Sequence, residues 1–322
     1  MREQINEYFS GRGFMTLCSL LLVAMTVAAL VMQVEPPHIQ GEGIFFSLQG
    51  AVIESGPTSA GINVLCLLAT GGILLALNKV FTFVRSMTHL FVSAFFLLQL
   101  ANPSGLVCLN VGTLLSLVGA VTLFPLFASF QDKHAQRSIF LIFALVATGV
   151  MFHYGFLALV PVYMLGFANM RVLDFKGVLA MLIGLVTPFW IVMGLGIVSP
   201  ADAHLPQQAL MERTLMTPQF YMTLATCVLG VVLMVMNLFT VMNYRMQPRV
   251  YNIFLMIMLV VVIIAVCLDY HYLAVFLPLL NLMVAVQVAQ AHSLATSFHY
   301  RYVLMILFTV TCLAVAALNL LS

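Results

Sequence analysis

The chain has 322 residues, of which 63% are hydrophobic and 7% are charged, and its formal net charge at pH 7 is +2. Soluble domains carry about 25% charged residues, so a soluble globule of this size would lack the polar side chains needed to cover its surface. The composition therefore excludes a cytosolic enzyme, a nucleic-acid-binding protein and a disordered chain. It predicts an all-α, polytopic membrane protein whose main partner is the lipid bilayer.

A helix that crosses a bilayer needs about 20 apolar residues. Cutting the sequence at charges, prolines and polar clusters predicts eleven spans. In chain order they cover 13–33, 60–83, 87–101, 105–130, 138–152, 155–170, 177–198, 218–242, 251–268, 271–290 and 301–321. We expect one integral membrane domain over 1–322, with a seven-span core over 13–198, an outer loop over 199–217 and four more spans over 218–321.

Basic residues collect on one side of this path. If the amino terminus is cytoplasmic and the spans alternate, eleven of the twelve lysines and arginines face the cytoplasm and only Arg213 faces outward. Cytoplasmic loops are enriched in lysine and arginine. The pattern predicts a cytoplasmic amino terminus and an extracytoplasmic carboxyl terminus.

The first outer loop, about 34–59, carries the strongest candidate for chemistry. Its middle, 43–53, is apolar but too short to span, which predicts an interfacial helix with Phe45 and Phe46 in the acyl boundary. Glu42 lies at the start of this segment and Glu54 at its end. Glu42 is either a general base toward a sugar or lipid hydroxyl, or an acidic cap favoured by the helix dipole.

Other polar residues of the outer side complete the candidate site. Arg213 is either a bidentate clamp for a phosphate or a lone solvated arginine. Asp269 either pairs with His271 or ends its helix, and His38 is the histidine of the first outer loop. Scattered loop histidines are more often surface residues than ligands.

The interiors of the spans carry little chemistry. No Asp, Glu, Lys or Arg lies near the middle of any span, where secondary transporters usually place ionisable groups. The polar residues there are mainly Asn63, Asn110, Asn237, Asn281 and Gln287. The six cysteines fall in apolar runs without the spacing of a metal site or a disulfide framework, so we expect neither a metal nor a cofactor.

Residues 78–195 resemble an uncharacterised family of bacterial multi-pass membrane proteins. The matching pieces are Asn78-Lys79, Leu100-Ala101-Asn102-Pro103, the Phe156 to Arg171 helix, Arg171 to Lys176, Ile183-Gly184 and Pro188-Phe189-Trp190. The resemblance implies a bacterial inner membrane and brings no activity with it.

Residues 13–195 more distantly resemble the C-type (GT-C) fold of membrane glycosyltransferases, which use polyprenyl-phosphate sugars. The order is a long first helix, an acidic outer loop with an interfacial helix, and short paired helices such as Ile142 to Asn169. Gly41-Glu42-Gly43-Ile44-Phe45-Phe46 falls where that fold has its catalytic acidic stretch, with one acid where two are common. The resemblance implies that Glu42 is catalytic and that the partner is a polyprenyl-phosphate-linked sugar.

Three functions follow from this reading. The first is transfer of a sugar, or a related group, from a lipid carrier at the outer face, with Glu42 as base and Arg213 as phosphate clamp. The second is a non-catalytic membrane subunit or scaffold of a cell-envelope assembly, whose partners are other membrane subunits. The third is a lipid transporter, which we rank last because the helix pattern has no internal repeat.

Overall fold

The computed structural model describes residues 9, 11–36, 43–46, 56–84, 89–132, 134–203, 218–268, 273–294 and 301–321. Over these residues the chain forms eleven α-helices and three short 3-10 turns. The helices are α1 Arg12–Val31, α2 Pro57–Phe81, α3 Leu90–Leu100, α4 Val111–Ala128, α5 Gln136–Phe152, α6 Leu159–Asn169, α7 Phe175–Gly194, α8 Pro218–Val241, α9 Met246–Leu268, α10 Leu273–Leu294 and α11 Arg301–Leu321. The 3-10 turns are Pro103–Leu106, Tyr154–Ala158 and Pro200–Asp202.

Each of the eleven predicted segments overlaps one of these helices. In the described part of the chain, seven helices are long and apolar enough to cross a membrane, namely α1, α2, α4, α7, α8, α9 and α10. The helices α3, α5 and α6 are shorter, as the 15-residue segments predicted. Over the described residues the protein is all-helical, and the length and composition of its helices are those of a multi-pass membrane protein. Its orientation stays a prediction.

Two helices form the core of the bundle. An 18-residue stretch of α10 is buried throughout, and every residue of α3 is buried. Helix α10 packs against α3, α4, α8 and α9, so a helix from the carboxyl-terminal third lies among helices of the amino-terminal half. Only 17% of the corresponding stretch of α7 is buried, and α7 packs mainly on α5, which leaves it at the lipid-facing edge.

A glycine and a proline let α4 approach the start of α10. A Cβ atom on Gly112 would lie 2.5 Å from the carbonyl oxygen of Val275, so only glycine fits this contact. Pro278 has no N–H to donate to the carbonyl of Ala274 four residues earlier. The Asn110 side-chain amide donates to that carbonyl instead, at 3.2 Å.

Side-chain amides join the ends of other helices in the same way. On the predicted outer side, Asn63 donates to the Gly105 carbonyl at 2.9 Å. On the predicted inner side, Asn169 donates to the Val250 carbonyl at 3.1 Å and Asn237 to the Gln287 carbonyl at 2.9 Å. Each bond joins two segments that lie on the same side of the membrane if consecutive spans run in opposite directions.

Candidate functional site

All six residues of the predicted site lie outside the described residues. They are His38, Glu42, Glu54, Arg213, Asp269 and His271. Their roles stay predictions, and the structure bears on them through the segments to which their loops attach. Two of those segments, the first outer loop and the start of α10, meet around one short stretch, Met151 to Gly155, which we call the α5–α6 hinge.

The first outer loop docks on this hinge through its backbone. The amide of Ile44 donates to the Val150 carbonyl at 3.3 Å, and the amides of Phe45 and Phe46 donate to the Met151 carbonyl at 3.3 and 3.1 Å. Gly43, the residue after Glu42, is buried, and a Cβ atom there would lie 2.1 Å from the Met151 oxygen. Any side chain at position 43 would push the loop off the hinge.

These contacts correct the prediction of an interfacial helix that begins at residue 43. Gly43–Phe46 form a bend in which the amide of Gly43 donates forward to the Phe46 carbonyl at 2.9 Å, whereas in an α-helix a carbonyl accepts from the residue four positions later. Phe45 and Phe46 also pack on protein: Phe46 stacks on Phe152 at a centroid distance of 5.3 Å, and Phe45 meets Phe189 of α7 edge-on at 6.0 Å. Residues 47–53 of the predicted helix lie outside the described residues.

His153 makes the hinge. It is fully buried and extended, with φ −162° and ψ 131°, and it separates α5 from the 3-10 turn Tyr154–Ala158. Its amide donates to the Gly149 carbonyl, and its Nδ1 accepts a hydrogen bond of 2.9 Å from the amide of Gly155. Burial lowers the pKa of His153 to about 4, so at pH 7 the imidazole is neutral and, with Nδ1 accepting, carries its proton on Nε2.

The start of α10 reaches the same hinge. A Cβ atom on Gly155 would lie 3.0 Å from Cγ1 of Val275, which puts the hinge in contact with the first turn of α10. Helix α10 begins at Leu273, directly after the segment that carries Asp269 and His271. The second predicted loop therefore attaches within one turn of the hinge.

The loop that carries Arg213 runs from the end of α7 to the start of α8. Helix α7 packs on α5, and α8 packs on α10. The two helices that flank this loop are therefore packed on the two helices that meet at the hinge. The first outer loop docks on α5 itself, and the segment of Asp269 and His271 leads directly into α10. The loop of Arg213 is joined to this pair only through α7 and α8.

The described residues supply few reactive groups of their own. Within the described ranges, no three His, Cys, Asp or Glu side chains are close enough to hold a metal ion. The hinge brings one neutral imidazole and backbone amides. The carboxylates and the arginine of the loops stay predictions. His153 was not predicted as a functional residue, although a histidine between two apolar segments of about 15 residues is a visible signal.

No family model, curated protein or solved structure matches the chain.

Proposed function

We propose that this protein transfers a sugar, or a related group, from a polyprenyl-phosphate carrier at the extracytoplasmic face of a bacterial inner membrane. The observation that carries the proposal is the docking of the first outer loop on the α5–α6 hinge, beside the first turn of α10. The segment of Asp269 and His271 leads into α10, and the helices that flank the loop of Arg213 pack on α5 and α10. The distant resemblance to the GT-C fold supports the same reading. Glu42, Glu54, His38, Arg213, Asp269 and His271 all belong to these three loops.

In the proposed reaction Glu42 is the general base. Its carboxylate takes the proton of an acceptor hydroxyl, and the hydroxyl oxygen forms a bond to the anomeric carbon of the donor sugar. The bond from that carbon to the phosphate oxygen breaks, and its electron pair stays on the polyprenyl phosphate. Arg213 binds the phosphate by bidentate, charge-assisted hydrogen bonds and stabilises the charge that develops on it.

The test replaces Glu42 with Gln in the native organism and measures cell-surface glycans and glycolipids. Loss of a general base typically costs 10²–10⁴-fold in rate, so we expect one glycan or glycolipid species to fall at least about 100-fold. Glu35→Gln is the matched control, because Glu35 lies exposed in the same loop. An unchanged glycan profile, with the variant inserted at normal abundance, contradicts the proposal.

A second function, a non-catalytic subunit of an envelope assembly, is favoured by a different observation. Side-chain amides of the spans are used as donors to carbonyls of other helices, as in the bonds of Asn110, Asn169 and Asn237. Such bonds stabilise helix packing in membranes rather than chemistry. This function predicts that a stoichiometric partner co-purifies in mild detergent, and recovery of the chain as a lone monomer argues against it.

A further inference from the structure

Only one residue interrupts the helical path from α5 to α6. Helix α5 ends at Phe152, the 3-10 turn begins at Tyr154, and α6 follows directly from Leu159. His153 alone is extended. The sequence on both sides is apolar and helix-forming, so a continuous helix is the nearest alternative for this segment.

In that continuous helix the amide of Gly155 would donate to the carbonyl of Met151, four residues earlier. In the structure the amide of Gly155 donates to Nδ1 of His153 instead, at 2.9 Å. The Met151 carbonyl is then free to accept from the amides of Phe45 and Phe46. In the same helix the Val150 carbonyl, which accepts from Ile44, would accept from the amide of Tyr154. The hinge and the continuous helix therefore differ in whether the carbonyls of Val150 and Met151 accept from the first outer loop or from the chain after His153.

We propose that His153 is a positioning residue: by capturing the Gly155 amide it keeps the end of α5 open for the first outer loop. The loop then caps the last carbonyls of α5, which every helix end leaves without an intrahelical partner. Because Gly43 follows Glu42 directly, the hinge sets the position of the residue proposed as the base. The inference rests on the proposed function only in the role it gives to Glu42. The change of hydrogen-bond partners at the hinge can be measured independently of any activity.

The experiment is hydrogen–deuterium exchange of the full chain in lipid nanodiscs. His153→Ala removes the acceptor and favours helix continuation, whereas His153→Asn keeps a side-chain oxygen at the capping position. We expect His153→Ala to speed exchange of the amides of residues 44–46 by at least about tenfold, the factor for a loss of about 1.4 kcal/mol. The amide of Gly155 stays protected, because it passes from His153 to the Met151 carbonyl.

Protection of the Gly155 amide distinguishes a change of hydrogen-bond partner from a general destabilisation of the hinge. A merely destabilised hinge would expose residues 44–46 and Gly155 together, and that result overturns the proposal. We expect His153→Asn to retain wild-type protection at 44–46, and wild-type protection in His153→Ala also overturns the proposal. His134→Ala is the matched control, since His134 is exposed before α5, at its opposite end.

A gentler variant covers the case in which His153→Ala does not fold. His153→Gln keeps an amide but moves its oxygen one bond away from the position of Nδ1, so we expect faster exchange at 44–46 than in His153→Asn. Equal protection in the Asn and Gln variants overturns the proposal. If Glu42→Gln leaves the glycan profile unchanged but the deuterium-exchange changes appear, the proposed transfer reaction is wrong and the positioning role of His153 stands. If Glu42→Gln abolishes the glycan but the deuterium-exchange changes do not appear, only the positioning role is wrong.

Discussion

The first turns of α9 and the α5–α6 hinge join helix ends by different kinds of donor. In α9, Tyr251 donates to the Phe127 carbonyl at 3.0 Å, Asn252 donates to the Phe83 carbonyl at 3.1 Å, and Gln290 of α10 donates to Asn252. At the hinge, the donors are backbone amides of Ile44, Phe45 and Phe46 in a loop. Both arrangements satisfy carbonyls at or near helix ends.

The two regions differ in whether the hydrogen-bond donors can dissociate from the helix ends without separating the helices. The donors of α9 are buried side chains anchored in a helix, and Tyr251 also stacks on Phe127 at a centroid distance of 4.3 Å. They can withdraw only if the bundle opens. The donors at the hinge belong to a loop that can leave while the helices stay packed, so we expect the α9 contacts to carry stability and the hinge to carry positioning.

The largest expected effect is at Asn252. Asn252→Leu leaves the Phe83 carbonyl and the Gln290 amide without their described partner in an apolar interior, at about 1–3 kcal/mol for each unsatisfied group. We expect the free energy of unfolding in mild detergent to fall by roughly 3 kcal/mol. The double variant with Gln290→Leu should recover part of the loss, because one unsatisfied group is removed with its partner.

A result within about 0.5 kcal/mol of the wild type for Asn252→Leu would contradict the stabilising role of the α9 contacts. The amide exchange of residues 44–46 serves as the internal control in the same sample. The exchange rate of these amides should rise no more than the loss of global stability accounts for.

The next effect is at Gly112, where α4 meets α10. In Gly112→Ala the new methyl group would meet the Val275 carbonyl at 2.5 Å, so the helices must separate, at about 1–3 kcal/mol. Thermal unfolding in detergent measures the loss. Gly61→Ala is the matched control, because nothing lies within 4 Å of a Cβ atom there and alanine is the better helix former. A midpoint for Gly112→Ala equal to that of Gly61→Ala would contradict the close contact.

A smaller, more specific effect concerns Asn110 and Pro278. Asn110→Ala leaves the Ala274 carbonyl without the amide it accepts from, whereas in a Pro278→Ala background the restored N–H can donate to that carbonyl. The two substitutions should therefore couple by about 1 kcal/mol in a double-mutant cycle. Loss of the cap at Gly112 is common to both arms and cancels. Strict additivity would show that Asn110 does not replace the missing helical bond.

The smallest effect on stability, and the clearest one on position, is at Gly43. Gly43→Ala should change the free energy of unfolding by less than about 0.5 kcal/mol, because the loop can leave without opening the bundle. It should still raise the exchange of amides 44–46, since its methyl group would lie 2.1 Å from the Met151 oxygen. Global destabilisation as large as that of Asn252→Leu would remove the distinction between the two regions.

The spans were predictable because each long apolar run has one low-energy arrangement in lipid, an α-helix. Their ends were less so. The segment predicted over 105–130 begins as a helix only at Val111, because Asn110 caps it and Pro103–Leu106 form a 3-10 turn. Helix α10 runs on to Leu294, past the predicted end at 290, and its polar residues Gln290 and His292 are buried in the bundle.

The candidate site stays a prediction, because all six of its residues lie outside the described residues. The apolar runs and the positions of the basic residues predict which loops face outward. They give no information on the contact between Gly43 and Met151, which joins residues more than 100 positions apart. Such a contact depends on how α5 ends, and that in turn depends on His153. The loop's bend at 43–46 was missed because an apolar run at an interface usually satisfies its amides within a helix.

The proposed function requires the loops of Glu42 and Arg213 to meet on the extracytoplasmic side of the membrane. A chain without its six native cysteines, carrying Glu42→Cys and Arg213→Cys, tests it in intact cells with a membrane-impermeant bifunctional thiol reagent that spans about 10 Å, a reach close to that of three extended residues. We predict an efficient intramolecular cross-link. Labelling of both cysteines without a cross-link, or no labelling until the cells are opened, would contradict the claim.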